Sequence, residues 1–436
     1  MDKITVKIDD LDYLGLGLAH LDNKVVFVDN ALPSENIECE IIKEKNNLIW
    51  AKNLKILNSS KFRISPLCPY FNICGGCDLQ HLEYNKTLEF KKNQIKLAFK
   101  KIANINLDDF EIIKSENHYF YRNKIAMKIS KINNEKVLSF YKKNSHIPIK
   151  IESCKLIDSK FDFVINSVNE FLKKCDNSVY DEKTKKGDLK HFVCRLIDNN
   201  ILITFVLNSN VKLENIESLY STLKTKFNLV GINKNINNKD KDILSTKFIH
   251  LIGENKLEFT NNDIIQPITN GSFLQVNLNV SNKIYNYVLK NLNGNVVNCY
   301  SGAGLLSAII AKNNTSQVYG IEISIEATRL ADKIKEENKI NNLTNFCGDA
   351  GKVLKELNLK DFSLVLDPPR SGIDDNMISV IKSTLPNKIV YISCDKNSLA
   401  KNIKQLISLY DINDIKAFDM FAQTKNVETV IVLTKK

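Results

Sequence analysis

The chain has 436 residues, is 43% hydrophobic, and carries a net charge of +11 from 61 Lys and Arg against 50 Asp and Glu. This length predicts two or three domains, and this hydrophobic content excludes a disordered chain. No apolar run approaches a membrane span, and Met1 to Lys7 lacks the basic and apolar segments of a signal peptide, so a cytoplasmic protein without membrane contact is expected.

Residues 1–58 read as a small β-barrel. Strand candidates cover Ile4–Ile8, Val25–Val28, Ile37–Ile42 and Ile49–Leu54, punctuated by Leu14-Gly-Leu-Gly-Leu18 and Leu32-Pro-Ser34. Helical patterns are missing, so a five-stranded OB-like barrel is expected. Cys68, Cys74 and Cys77 then crowd together, and His81 nearby reads as a surface residue. Ten cysteines without a secretion signal argue against a disulfide framework. Cys39, Cys175, Cys194, Cys299 and Cys347 are scattered and read as structural thiols.

Residues 59–265 form an α+β central domain whose topology the pattern leaves open. A helix is predicted over Leu82–Lys101, and further helices near 160–174 and 211–227. Strand-like runs cover Lys124–Ile129, Val193–Leu196 and Leu202–Leu207, while Asp181–Lys190 and Lys234–Asp242 read as solvated loops. Positive charge is concentrated on residues 101–300, which suggests a surface facing a polyanion, although Lys and Asn are abundant throughout. Tyr119-Phe-Tyr-Arg-Asn-Lys124 interleaves aromatics with cations: it could stack splayed bases and meet phosphates, or be an ordinary strand with core aromatics.

Residues 266–436 alternate helix and strand. Strands at 296–300, 317–321, 344–347, 362–366 and 388–392 are separated by helices 304–312, 326–340, 351–358 and 374–384. A helix at 397–408 and strands near 412–420 and 427–434 close the pattern. A doubly wound parallel sheet with an antiparallel end is expected, and ligands bind at the C-terminal edge of such sheets. Tyr300-Ser-Gly-Ala-Gly304 is a glycine turn between strand and helix, where backbone can approach a ligand closely. Glu322 ends the next strand, where a carboxylate can accept hydrogen bonds from ribose hydroxyls. The lack of a third glycine favours a nucleoside-sized cofactor over a dinucleotide. Asp349 follows the third strand and could meet an adenine amino group; Asp367-Pro-Pro-Arg-Ser-Gly372 adds a carboxylate on a stiff turn after the fourth. Cys394 follows the apolar run Ile389–Ile392, at the same edge. A thiol there is a useful nucleophile only if an electrophile is presented to it.

These motifs, with Phe273-Leu-Gln275 and Asp419-Met-Phe421 followed by Val427-Glu-Thr429, resemble the S-adenosylmethionine-dependent RNA uracil-5-methyltransferases. The N-terminal barrel is similar to the TRAM domain of the family's 23S ribosomal-RNA branch. Cys68, Cys74 and Cys77, with a distant Cys154, resemble that branch's [4Fe–4S] ligands. The resemblance implies a Rossmann-like class I methyltransferase domain preceded by a TRAM barrel and an iron–sulfur central domain. It implies S-adenosyl-L-methionine as cofactor, held by Gln275, Tyr300, Glu322, Asp349 and Asp367. It gives Cys394 the role of nucleophile and Glu428 that of base. The implied partner is 23S ribosomal RNA, before or during ribosome assembly, and one complete catalytic set per chain permits a monomer.

The chain departs from the family pattern at Asn298, Ser301, Asn402 and Ala422-Gln-Thr-Lys-Asn426, so packing near the base is expected to differ. Four thiolates also satisfy zinc, though three clustered cysteines and one distant one do not form the two close pairs of a zinc ribbon. Alternatives are transfer-RNA uridine methylation by the same chemistry and an iron–sulfur RNA-binding protein without activity. An exocyclic-amine methyltransferase would need no cysteine, and its comparable turn ends in an aromatic residue where Arg370 stands here.

Overall fold

The computed structural model describes residues 2–239 and 242–436. At the N-terminus a six-stranded sheet, rather than five strands, has the order Lys3–Lys7, Asn36–Lys45, Leu48–Asn58, Lys24–Val28, Gly17–Leu21 and Asp10–Leu11. Val6, Ile8, Ala19, Val26, Val28, Ile37 and Ile49, drawn from most of those strands, share one buried core.

The central region is a seven-stranded sheet, antiparallel except where Asn200–Leu207 runs parallel to Val230–Ile236. Helices Lys160–Lys174 and Ile216–Lys224 bury their apolar faces on it, with Phe161, Val168 and Leu172 on the first and Leu219 and Leu223 on the second. The loop expected over 234–242 begins later than its polarity suggests. Lys234, Asn235 and Ile236 are strand residues, and the Asn235 amide donates to the Ser245 and Lys247 carbonyls at 2.9 and 3.2 Å. Paired polar side chains can be buried, and composition cannot tell paired from solvated. Residues 240 and 241 of that loop lie outside the described residues. Lys190 likewise belongs to strand Leu189–Ile197 rather than to the preceding loop.

The last part of the chain is built on an eight-stranded sheet. Its order is Leu343–Cys347, Val318–Glu322, Asn295–Cys299, Phe362–Leu366, Lys388–Ser393, Glu428–Lys435, Tyr410–Phe418 and Glu111–Ile113. The first five are parallel, and Glu428–Lys435 runs antiparallel to both its neighbours. Helices cover both faces, so the strands are apolar throughout: Leu364, Val365, Leu366, Ile389 and Val390 are all fully buried. Strand order reverses between Asn295–Cys299 and Phe362–Leu366, which opens a crevice at their C-terminal ends.

The outermost strand comes from far upstream. Lys416, Ala417 and Phe418 pair in parallel with Glu111, Ile112 and Ile113, and Ile95, Phe99 and Phe110 enter the same core as Leu364 and Ile431. A division at residue 265 therefore separates segments that share one sheet. Helix Tyr84–Ala98 and its π-helical extension Phe99–Ala103 supply this packing, and together they run two residues past the span 82–101 expected to be helical.

Candidate active site

Two groups of side chains meet at the crevice, one suited to a cofactor and one to a reaction. The glycine turn takes left-handed backbone at Tyr300 (φ 62°), Gly302 (φ 55°) and Gly304 (φ 81°). A Cβ on Gly304 would also fall 2.4 Å from that of Ala331, so the turn packs on helix Ile325–Glu337 only with glycine there. At Gly302 nothing lies within 4 Å of where a Cβ would be, which leaves open space at the turn. A bulky residue with positive φ, such as Tyr300, is strained, and such strain concentrates at functional sites.

Glu322 accepts the Gly302 and Ser324 N–H groups at 3.0 and 2.9 Å, one on each oxygen. Each oxygen keeps a second lone pair for a ligand hydroxyl. Asp349 caps helix Ala350–Glu356 by accepting from the Lys352 N–H at 2.9 Å. Burial, with the Cys299 thiol and the Asp374 and Asp349 carboxylates, pushes the Tyr300 hydroxyl above the usual phenol range. Gln275 lies on the loop before helix Leu278–Lys290, its carbonyl held by the Asn123 amide at 2.9 Å. Two residues earlier, Phe273 is 71% exposed and lines one cleft with Gly302, Ala303 and Ser324.

The reaction group follows from strand register. Ser393 pairs with Thr429 in the antiparallel ladder. The ladder ends there, so Cys394 and Glu428, the next residue on each strand, stand at the same end of it, near enough for the Glu428 carboxylate to act on the thiol. The Asp367 turn lies alongside and is fastened from below. Asn402 accepts from the Tyr391 hydroxyl at 3.0 Å and the Ile373 N–H at 3.2 Å, and donates to the Ile373 carbonyl at 2.9 Å. An aspartate at 402 could not make that last bond, which gives the departure at this position a structural role.

The groups share a field. Burial raises Asp367 to about 7. Burial, then the Asp367 carboxylate, raises Glu428 to about 8 against the pull of the Arg370 guanidinium. Burial and the Glu428 carboxylate push the Cys394 thiol up, with Arg370 opposing. In the unliganded protein the thiol is therefore protonated at neutral pH, and Glu428 is a stronger base than an exposed carboxylate. A raised carboxylate favours the protonated folded state, so it leaves stability untouched below the unfolded value near 4.5 and costs stability as pH rises toward 8. Glu428→Gln should accordingly gain thermal stability over the parent at pH 8 and show little gain at pH 4.5, by an amount on the order of a few kcal/mol. Equal melting-temperature differences at both pH values would remove the buried-acid assignment.

The nine residues between Phe418 and Glu428 are held from outside. Asp419 is fully buried, forms an ion pair with the equally buried Lys91, and accepts from the Tyr84 hydroxyl at 2.7 Å. The Lys91 ammonium also donates to the Phe421 carbonyl at 3.1 Å, and the Tyr121 hydroxyl to that of Ala422 at 3.1 Å. Lys91 and Tyr84 carry no sequence signal for this role, and Tyr121, part of the aromatic stretch, takes its core alternative. Asp419 stood in a quoted motif, but its partner Lys91 is 328 residues away, and one sequence carries no signal of that pairing.

Cys68, Cys74, Cys77 and Cys154 line one cavity of about 540 Å³. Burial raises Cys74, Cys77 (to about 12) and Cys154, with smaller contributions from one another and from Cys68. Among the described residues no three His, Cys, Asp or Glu side chains converge closely enough to hold a single metal ion. His81 is not a surface residue: it is 1% exposed, packs on Phe71, and burial lowers it to about 3. Of the stretch Tyr119–Lys124, Tyr121 and Asn123 are tied inward, and Phe120 alone is exposed, at 44% and with φ 56°. Among the described residues no helix is long and apolar enough to cross a membrane.

Residues 83–436 match the family described as tRNA (uracil-5-)-methyltransferase, and residues 2–49 match the TRAM domain. The chain belongs to the RNA (uracil-5-)-methyltransferase family. It is thus an RNA methyltransferase carrying a TRAM domain. An uncharacterised RNA methyltransferase of Clostridium acetobutylicum is 32% identical over 446 aligned positions, covering 99% of this chain and 96% of that protein. A Staphylococcus aureus RNA methyltransferase, also uncharacterised, is 33% identical over 444, covering 99% and 98%. The crystal structure of Pyrococcus abyssi tRNA (uracil-54, C5)-methyltransferase, in complex with S-adenosyl-L-homocysteine, superposes with a TM-score of 0.80. It is 23% identical and covers 99% of this chain and 100% of that one, so the methyltransferase fold is shared along the whole length.

Proposed function

We propose that the enzyme methylates C5 of a uridine in 23S ribosomal RNA through a covalent adduct at C6. The observation carrying this reading is the register that brings Cys394 and Glu428 to the same end of one ladder, beside the open glycine turn. Gln275, Tyr300, Glu322, Asp349 and Asp367 would hold S-adenosylmethionine, which when bound would supply an electrophilic methyl group and, its S–CH3 bond broken, keep the electron pair as a neutral thioether. Uracil C5 is a poor nucleophile. The Cys394 thiolate, its proton lost to solvent, adds to C6, and the displaced π electrons make C5 electron-rich. After C5 has taken the methyl group, Glu428 removes the C5 proton; the C5–C6 double bond reforms and the C6–S bond breaks, releasing the thiolate. The target base must leave its stack to reach this crevice. The exposed, strained Phe120 is placed to stack a splayed nucleotide.

The ribosomal choice is supported by the TRAM domain together with the four-cysteine cavity. The four thiols line one cavity, and three clustered cysteines with one distant one are the spacing of a [4Fe–4S] site in that branch, where a zinc ribbon would have two close pairs. Cys68, Cys74, Cys77 and Cys154 would be its ligands. A brown anaerobic preparation supports the cluster; a colourless protein with stoichiometric zinc sinks it. The Pyrococcus protein's action on tRNA favours a second reading, a tRNA uridine. Mapping 5-methyluridine in a deletion strain decides: loss from 23S ribosomal RNA supports the first reading, and loss from tRNA alone replaces it.

A further inference from the structure

The loop that carries the proposed base toward the crevice is fastened to the cysteine hairpin by one short segment. Asp78 and Leu79 directly follow Cys77, and their backbone N–H groups both donate to the Gln423 carbonyl at 3.1 Å. The Asp78 carboxylate accepts from the Lys425 backbone N–H at 3.1 Å and from its ammonium at 3.4 Å. Gln423 is buried and sits in left-handed backbone at φ 66°, a conformation a glutamine does not hold without outside contacts. Five residues after it comes Glu428.

We infer that Asp78 is a positioning residue for the base: with the Leu79 N–H it fixes the 423–425 turn and so the depth at which the Glu428 carboxyl enters the crevice. The other anchors of this loop, Lys91, Tyr84 and Tyr121, grip its first half at Asp419, Phe421 and Ala422. Asp78 grips the half nearest Glu428. Cys394 does not depend on this grip, because it is held by strand Lys388–Ser393 and the helix that Asp395 caps. The two chemical steps should therefore separate. Loosening the turn slows removal of the C5 proton and leaves thiol addition and RNA binding intact.

The inference rests on Glu428 being the base, and its test keeps the two apart. Asp78→Ala removes both carboxylate contacts, whereas Lys425→Met removes only the ammonium's and keeps the backbone N–H bond, so the second variant checks the first for a folding defect. Single-turnover reactions with substrate RNA are quenched in denaturant, and the covalent RNA–protein adduct is followed with time beside Glu428→Gln. Asp78→Ala should accumulate adduct, with release slowed about tenfold and formation within about twofold of the parent, and Lys425→Met should do so to a smaller degree. Adding Asp78→Ala to Glu428→Gln should slow release no further, as expected when both act on one step. If Glu428→Gln traps adduct and neither clamp variant does, or if formation slows as much as release, the positioning role is overturned. If Glu428→Gln itself traps no adduct, the base assignment fails first and the positioning role falls with it.

Discussion

Replacing Cys394 by alanine should abolish methyl transfer, by at least about 10,000-fold, while RNA affinity stays within about twofold. In the proposed reaction the thiol attacks the base, and the two other cysteines that end strands of this sheet stand apart from it: Cys299 is fully buried two strands away, and Cys347, four strands away, donates to the Ile323 carbonyl. Serine should do no better, because an alcohol is a weaker nucleophile than a thiolate and a poorer leaving group when the adduct must open. Transfer of a radiolabelled methyl group to unmodified RNA measures the first quantity, and filter binding the second. A variant that methylates within about tenfold of the parent would show that the C6 adduct is not on the path.

Replacing Glu428 by glutamine should give the opposite phenotype. The adduct still forms and is methylated, but its release slows by roughly a hundred- to ten-thousandfold, the usual worth of a general base. Glutamine keeps the shape of a side chain that is 6% exposed, so packing in the crevice is preserved while proton acceptance is lost. Intact mass spectrometry should find the chain joined to a methylated RNA fragment. Free enzyme with normal turnover would end the assignment. Because burial raises this carboxyl to about 8, release by the parent should quicken as pH rises through that value, and the glutamine variant should lack this dependence.

Much of the crevice was legible because its residues sit at the ends of strands that periodicity reveals, whereas Gln275 on a loop and Glu428 at a strand start were reached only through the family resemblance. Gly302, Glu322, Asp349, Asp367 and Cys394 all follow apolar runs, and local pattern finds such runs well. Register also brought two separate motifs, Ser393-Cys394 and Glu428-Thr429, to the same end of one ladder. What sequence hid was of two kinds. Buried polar residues that find partners, such as Lys91, Asn235 and Asn402, look solvated in a one-dimensional pattern. Long-range sharing of one sheet by residues 111 and 416 leaves no local signal, so a boundary at 265 was drawn through a single core. His81 is buried by packing on the Phe71 ring, another contact that one sequence does not display, and the inward-tied Tyr121 and Asn123 follow the core alternative that the sequence left open for their stretch.

That shared sheet bears on how the enzyme comes into being on the ribosome that makes it. Glu111 forms an ion pair with Lys416, 305 positions further along the chain, and between the two lies the whole seven-stranded sheet. At roughly 5–20 residues per second, the early strand waits about 15 to 60 seconds for its neighbour to be synthesised. During that interval Lys91 lacks Asp419, and the apolar residues Ile95, Phe99 and Phe110 lack the helices and strands that will cover them. The crevice is then assembled late: Cys394, Glu428 and the strand Tyr410–Phe418 that Glu111–Ile113 joins are all among the last residues to be made.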